Sequence, residues 1–83
     1  MWFVYILRCS DTSLYTGITT DLERRIKEHN SNEKLGAKYT KIRRPVTLVH
    51  SETFQTRSEA LKREWQIKKM TRVAKLALLS SSE

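Results

Sequence analysis

Trp2-Phe3-Val4-Tyr5-Ile6-Leu7-Arg8-Cys9, then Ser10-Asp11-Thr12-Ser13, then Leu14-Tyr15-Thr16-Gly17-Ile18-Thr19 read as strand, turn and strand. In the first segment Trp2, Val4 and Ile6 fall on one face, and Phe3, Tyr5, Leu7 and Cys9 on the other. Apolar residues on both faces make this a central strand. The turn residues between the segments predict an antiparallel hairpin. Gly17 interrupts the second strand where glycine is unfavourable and where it often marks the close approach of another group. An odd loop length sets Tyr5 and Tyr15 on one face. A three-residue loop at Asp11-Thr12-Ser13, for example, places Leu7 opposite Gly17 with the two phenols leaning over that glycine from either side.

Outward from the hairpin, Thr20-Asp21-Leu22-Glu23 matches a capping box and predicts a helix to about Asn30. Ser31 to Arg44 is polar and basic, contains Gly36 and has neither helical nor strand period, so it reads as a loop. Val46 to Phe54, after Pro45, reads as a third strand with Val46, Leu48 and Phe54 on one parity. Thr56-Arg57-Ser58-Glu59 is a second capping box, opening a helix to Lys69. Thr71 caps a short last helix with Val73, Leu76, Ala77 and Leu79 as its apolar stripe. The order is ββαβαα, an α+β fold in which a small three-stranded antiparallel sheet is flanked by helices. The expected organisation is one domain over residues 1–79 and a frayed tail over residues 80–83.

The composition excludes several classes. The chain has 83 residues, a formal net charge of +7, one Cys and two His. That allows one domain with a thin core, no internal disulfide framework and no tetrahedral Cys/His zinc site built from this chain alone. The longest apolar run, Trp2 to Leu7, is shorter than the roughly 7–15 residues of a secretory h-region or the about 20 of a membrane span. A soluble, cytoplasmic chain with no membrane attachment is expected. The positive balance predicts attraction to a polyanion, although a merely solvated basic surface has the same composition.

Polar residues on stripes that should be buried carry the functional signal, because an unpaired buried polar group costs about 1–3 kcal/mol. Leu22, Ile26 and His29 share one side of the first helix with Arg25. Arg25 reads either as a flank ion pair or as a functional cation, and His29 as a dipole partner at the helix end or as a site residue. In the following long helix Ala60, Leu61 and Trp65 mark the inner stripe, and Glu64 falls among them. Glu64 reads as an intrahelical partner of Lys68 or as a hard oxygen ligand for one Mg²⁺. Tyr5 and Tyr15 could equally fill a thin core with their hydroxyls at its edge.

Taken together and in order, these residues resemble the GIY-YIG nuclease superfamily. Val4-Tyr5-Ile6 stands for the first motif and Tyr15-Thr16-Gly17 for the second, neither spelling the family name literally. Leu22 to His29 carries the family arginine, Arg25, with His29 four residues on, and Ala60 to Trp65 carries the metal-ligand Glu64. The match spans nearly the whole chain. It is closest to small stand-alone bacterial members, which resemble the nuclease domain of structure-specific endonuclease subunits. The resemblance implies hydrolysis of phosphodiester bonds in DNA with Mg²⁺ or Mn²⁺. In it a phenol near the phosphate helps to activate a water, Arg25 stabilises charge on the phosphoryl oxygens and Glu64 holds the metal. We assign the phenol to Tyr5 with Tyr15 and His29 assisting, or to Tyr15 with the two tyrosines exchanged, and Gly17 shapes the site.

Phosphodiester hydrolysis needs a polarising cation, a positioned water and stabilisation of developing charge, and these residue types supply all three. Lys34, Lys38, Lys41, Arg43 and Arg44 are expected to track a phosphate backbone while Tyr39 stacks on an unpaired base, and Arg63 and Lys68 extend the positive surface. Such contacts are sequence-blind and serve RNA as well as DNA. The competing readings are a non-catalytic nucleic-acid binding module on the same fold and a protein-interaction subunit. A homodimer or a protein partner is the expected source of additional grip.

Overall fold

The computed structural model describes residues 1–31 and 34–80. The elements are β1 (Trp2–Arg8), β2 (Leu14–Thr19), α1 (Leu22–Ser31), α2 (Lys38–Lys41), β3 (Thr47–Phe54), α3 (Arg57–Lys68) and α4 (Arg72–Ser80). The three strands form one antiparallel sheet in the order β2-β1-β3, so the doubly apolar first strand is the central one. Val4 and Ile6 pack with Ala60 and Ile67 beneath α3, with Trp2, Leu14, Ile18, Val49, Phe54, Met70, Leu78 and Leu79 around them. On the opposite face Tyr5 and Leu7 pack with Cys9 and Val46 against Tyr15, Leu22 and Ile26, the latter two from α1.

Several local expectations are corrected. The hairpin connection runs from Cys9 to Ser13, since Arg8 pairs with Leu14, and this puts Tyr5 rather than Leu7 opposite Gly17. The parity of the two tyrosines is as expected because the register differs by an even number of residues. The first helix is capped by Asp21, whose Oδ1 accepts from Arg24 N at 3.1 Å, in place of Thr20. A carboxylate interacts more favourably with the helix N-terminus than a hydroxyl does. The second capping box forms as read, with Thr56 and Glu59 satisfying each other's backbone N–H. The expected loop contains one helical turn, α2, secured by Thr40 donating to the Ala37 carbonyl at 2.9 Å. In β3 an irregularity opposite Ile6 and Leu7 places Val49 outside the ladder. It reverses parity, so Val46 joins the Tyr5 cluster and Phe54 the Val4 cluster.

The two C-terminal helices are rotated relative to the apolar reading. Ala60 and Ile67 are the buried residues of α3, whereas Leu61 and Trp65 are 37% and 62% exposed. What turns the helix is Arg63, which bonds Glu52 on β3 through Nε–Oε1 at 2.8 Å and Nη2–Oε2 at 3.1 Å. Glu52 also takes His50 Nε2 at 2.7 Å, and Arg63 and His50 together hold its carboxyl below the usual range against the opposing effect of burial. In α4 it is Leu78 and Leu79 that meet the core, while Val73, Leu76 and Ala77 face outward. Ser80 closes that helix, and the rest of the expected tail, residues 81–83, lies outside the described residues. Among the described residues no helix is long and apolar enough to cross a membrane.

Replacing Glu52 by Ala leaves the Arg63 guanidinium and the His50 ring without their shared acceptor. The expected loss is about 1–3 kcal/mol of stability, read as a lower urea midpoint. A Glu52→Ala midpoint equal to that of the native chain would show that the pair does not hold α3 to the sheet.

Candidate active site

The site is built on the α1 side of the sheet, where Tyr5 projects from the centre of β1. A Cβ placed on Gly17 would lie 2.5 Å from the Tyr5 hydroxyl oxygen and 2.7 Å from Cζ, so only glycine leaves room for the phenol to lie flat across β2. The ring is 1% exposed, and its hydroxyl needs a buried partner. His29, fully buried on α1, supplies it: Tyr5 Oη and His29 Nε2 are 2.8 Å apart. On the other side of the imidazole, Nδ1 lies 2.8 Å from Thr40 Oγ1.

The direction of this chain follows from its far end. The Thr40 hydroxyl donates its one proton to the Ala37 carbonyl, so it accepts at the imidazole, and His29 carries its proton on Nδ1. Burial, with the nearby positive charges of Arg25 and Arg44, pushes the His29 pKa down to about 4 against the opposing carboxylate of Glu28. The ring is therefore neutral at pH 7, Nε2 is a bare acceptor, and the Tyr5 hydroxyl donates to it. Burial also pushes the Tyr5 phenol up to about 12; Tyr15 and Glu64 add to the rise, and Arg25 opposes it. The Tyr5 proton thus stays on oxygen at rest, aimed at a base.

Around this pair the other expected residues fall into two groups. Tyr15 stands edge-on to His29 with centroids 5.2 Å apart and 6.4 Å from Tyr5. Arg25 donates to Glu28 at 2.9 Å and to the Leu35 carbonyl, and it acts electrostatically on Tyr5. Glu64 reaches the same phenol with its charge and pairs with Lys68 at 3.3 Å. Tyr5, Tyr15, Gly17 and His29 therefore meet directly, and Arg25 and Glu64 act on the Tyr5 phenol through their charge.

The basic loop is tied into the fold. Arg43 bonds Asp11 at 3.1 Å and the Tyr39 carbonyl at 2.9 Å, and it lies 3.9 Å over the Tyr39 ring, which also stacks on Tyr15. Arg44 donates to the His29 carbonyl at 2.6 Å, and Arg63 is held by Glu52. Arg43, Arg44, Arg63 and Tyr39 thus make internal contacts; the Lys34 and Lys38 side chains are exposed and that of Lys41 is half-buried. Sequence reasoning missed Thr40, which fixes the His29 tautomer, and Glu28, which orients Arg25. No period marks Thr40, while the three-residue spacing of Arg25 and Glu28 on a helix does give a pairing signal.

A three-stranded sheet with two tyrosines across a glycine, a helix-borne Arg and His and a carboxylate on a later helix defines a nuclease-type α+β domain. The GIY-YIG catalytic domain matches residues 1–77, and the chain belongs to that family. It is 57% identical over 82 residues to a UPF0213 protein of Desulfotalea psychrophila, covering 99% of this chain and 74% of that protein. A UPF0213 protein of Staphylococcus saprophyticus is 58% identical over 78 residues, covering 94% of this chain and 93% of that one. The solution NMR structure of a UPF0213 protein from Bacillus halodurans superposes with a TM-score of 0.61 at 46% identity, covering 96% of this chain and 84% of that chain. The solution NMR structure of a protein from E. faecalis gives 0.61 at 43% identity over the same shares.

Two outcomes test the arrangement. Gly17→Ala is expected to force the Tyr5 ring off His29 at a cost of about 1–3 kcal/mol, read by urea unfolding. For His29 the folded pKa lies below the unfolded one, so the unfolded chain binds more protons between pH 6.5 and about 4. Stability is therefore full above pH 6.5 and falls as pH drops through that window, by up to about 3 kcal/mol. His29→Gln should flatten this part of the profile; an unfolding midpoint already flat there in the native chain contradicts a neutral buried imidazole.

Proposed function

We propose that the chain is a metal-dependent endonuclease that hydrolyses DNA phosphodiesters, directed by nucleic-acid structure rather than sequence, and that it serves DNA repair or recombination. The observation that carries this reading is the Tyr5–His29–Thr40 hydrogen-bond chain lying within electrostatic reach of Arg25 and Glu64. Tyr5 takes a proton from the attacking water as its own proton passes to His29 Nε2. Thr40 holds the imidazole in the tautomer able to receive it. The negative phosphate at the site favours the resulting imidazolium and offsets the low basicity of the buried ring. Arg25, oriented by Glu28, stabilises charge developing on the phosphoryl oxygens. Tyr15 packs edge-on against His29 and limits its rotation.

The donor set fits a divalent cation of modest protein ligation. Among the described residues no group of three or more His, Cys, Asp or Glu side chains could cage an ion. Mg²⁺ commonly takes one or two carboxylates and fills its remaining positions with water and substrate phosphate. Glu64, half-buried and paired to the exposed Lys68 ammonium, is the carboxylate that would hold Mg²⁺ or Mn²⁺. When bound, the ion would polarise the scissile phosphate and neutralise the leaving oxygen. Lys34, Lys38 and Lys41 supply sequence-blind backbone contacts, reinforced by Lys68 once it leaves Glu64. A second copy or a protein partner would add grip. The alternative, a binding module on the nuclease fold, draws on the same +7 charge.

Incubation with labelled linear, flapped, four-way and single-stranded DNA, and with matching RNA, in Mg²⁺ or Mn²⁺ separates the two. Cleavage is expected, abolished by chelation and reduced at least about 100-fold in Tyr5→Phe and Glu64→Ala variants that retain native circular dichroism. Salt-dependent binding with no cleavage of any substrate would establish the binding module instead.

A further inference from the structure

The outer face of α3 is unused by the site. Leu61, Lys62, Trp65, Gln66 and Lys69 share that face by their spacing, and all are exposed. Trp65 is 62% exposed, and the Lys69 ammonium lies 4.0 Å from the centroid of its ring. Leu61, Lys62, Trp65 and Gln66 line a shallow groove. The opposite face of the helix is fixed by buried Ala60 and Ile67 and by the Arg63–Glu52 pair, so the indole has no route into the core. A large exposed aromatic side chain on a rigid element marks a contact surface.

The chemistry of the face selects its partner. Protein interfaces are depleted in lysine, whereas this indole is bracketed by Lys62 and Lys69 on a chain of net charge +7. Aromatic rings flanked by cations suit single-stranded nucleic acid, whose bases expose π-faces that a duplex hides and whose phosphates complement the lysines. We propose that the Leu61–Trp65 face of α3 is a stacking platform for an unpaired base, with Lys62 and Lys69 taking the neighbouring phosphates. This choice of partner rests on the nuclease reading. Trp65 follows Glu64 on α3, so a base stacked there lies one residue along the helix from that carboxylate, and on the nuclease reading the preferred substrate is one that presents a single-stranded segment near the bond to be cut.

The test uses emission from a Trp2→Phe chain, in which Trp65 is the remaining tryptophan. The probe is a labelled oligothymidylate of about 12 nucleotides, within the usual range of single-strand site sizes, or a blunt duplex of the same length, without metal. The single strand is expected to quench Trp65 more than the duplex does. Trp65→Ala should weaken its binding about tenfold by anisotropy, and Trp65→Phe should restore most of it. Unchanged emission while anisotropy reports bound single strand would overturn the platform and leave the nuclease reading standing. Equal quenching by poly-glutamate would overturn it by showing a general polyanion or acidic-protein surface. No binding of either probe would also overturn it, and the cleavage assay judges the nuclease separately.

Discussion

Burying a phenol hydroxyl at the centre of a three-stranded sheet is the constraint from which the rest of this small protein follows. Tyr5 lies on the central strand and is only 1% exposed. Its oxygen requires a partner in the interior, and in so thin a core that partner must come from the helix covering the face. An imidazole there needs its own second partner, and the chain ends only when Thr40 returns to a backbone carbonyl. Three elements from distant parts of the sequence are thereby held in one polar network. A fully satisfied network of this kind specifies one arrangement, whereas a partly satisfied one costs more than an apolar core. The same arrangement that satisfies burial aims the phenol proton at an unprotonated imidazole nitrogen, which is the geometry the proposed water activation uses.

The positive charge of the chain divides by chemistry. The guanidinium groups of Arg25, Arg43, Arg44 and Arg63 bond carboxylates or carbonyls within the fold, as suits a planar donor with fixed directions. The exposed cations are mostly lysines, whose compact ammonium serves a backbone as a point charge with little geometric demand. Net charge alone therefore overstates the surface offered to a polyanion. The loop between α1 and β3 shows this most clearly. Asn30 bonds both backbone groups of Val46 at 3.1 and 2.7 Å, and Arg43 and Arg44 bind back to earlier elements, so the loop's first role is to place Thr40 beneath His29.

The sheet and helix order were legible in the sequence because the apolar periods of β1, β2 and α1 are strong and lie on uninterrupted segments. Convergence of Tyr5, Tyr15, Arg25 and His29 was legible from parity and from the shared side of α1. The register was not, because it depends on whether Cys9 and Ser10 belong to the strand or the turn. Apolar side chains placed α3 by the wrong stripe, since Arg63 turns inward once Glu52 is available across the sheet, and no local pattern announces a partner on another element. Thr40 was invisible for a related reason: its importance comes from a bond spanning eleven positions to His29.

Helix α3 shows how a chain this short can separate structural from functional demands on one element. Its buried residues are few, so the helix relies on the Arg63–Glu52 contact for its rotation about its own axis. That rotation sets which residues point where: with Ala60 and Ile67 inward, Glu64 falls at the margin, half-buried, and Leu61 and Trp65 fall outward. Had the apolar stripe won, Trp65 would fill the core and Glu64 would move away from that margin. The ion pair thus gives up apolar burial of an indole in exchange for an orientation. Such a sacrifice is reasonable only if the orientation has a use, because about 1.5–3 kcal/mol accompanies burial of a large apolar side chain. The proposed function assigns that use to Glu64, a carboxylate held within electrostatic reach of the Tyr5 phenol.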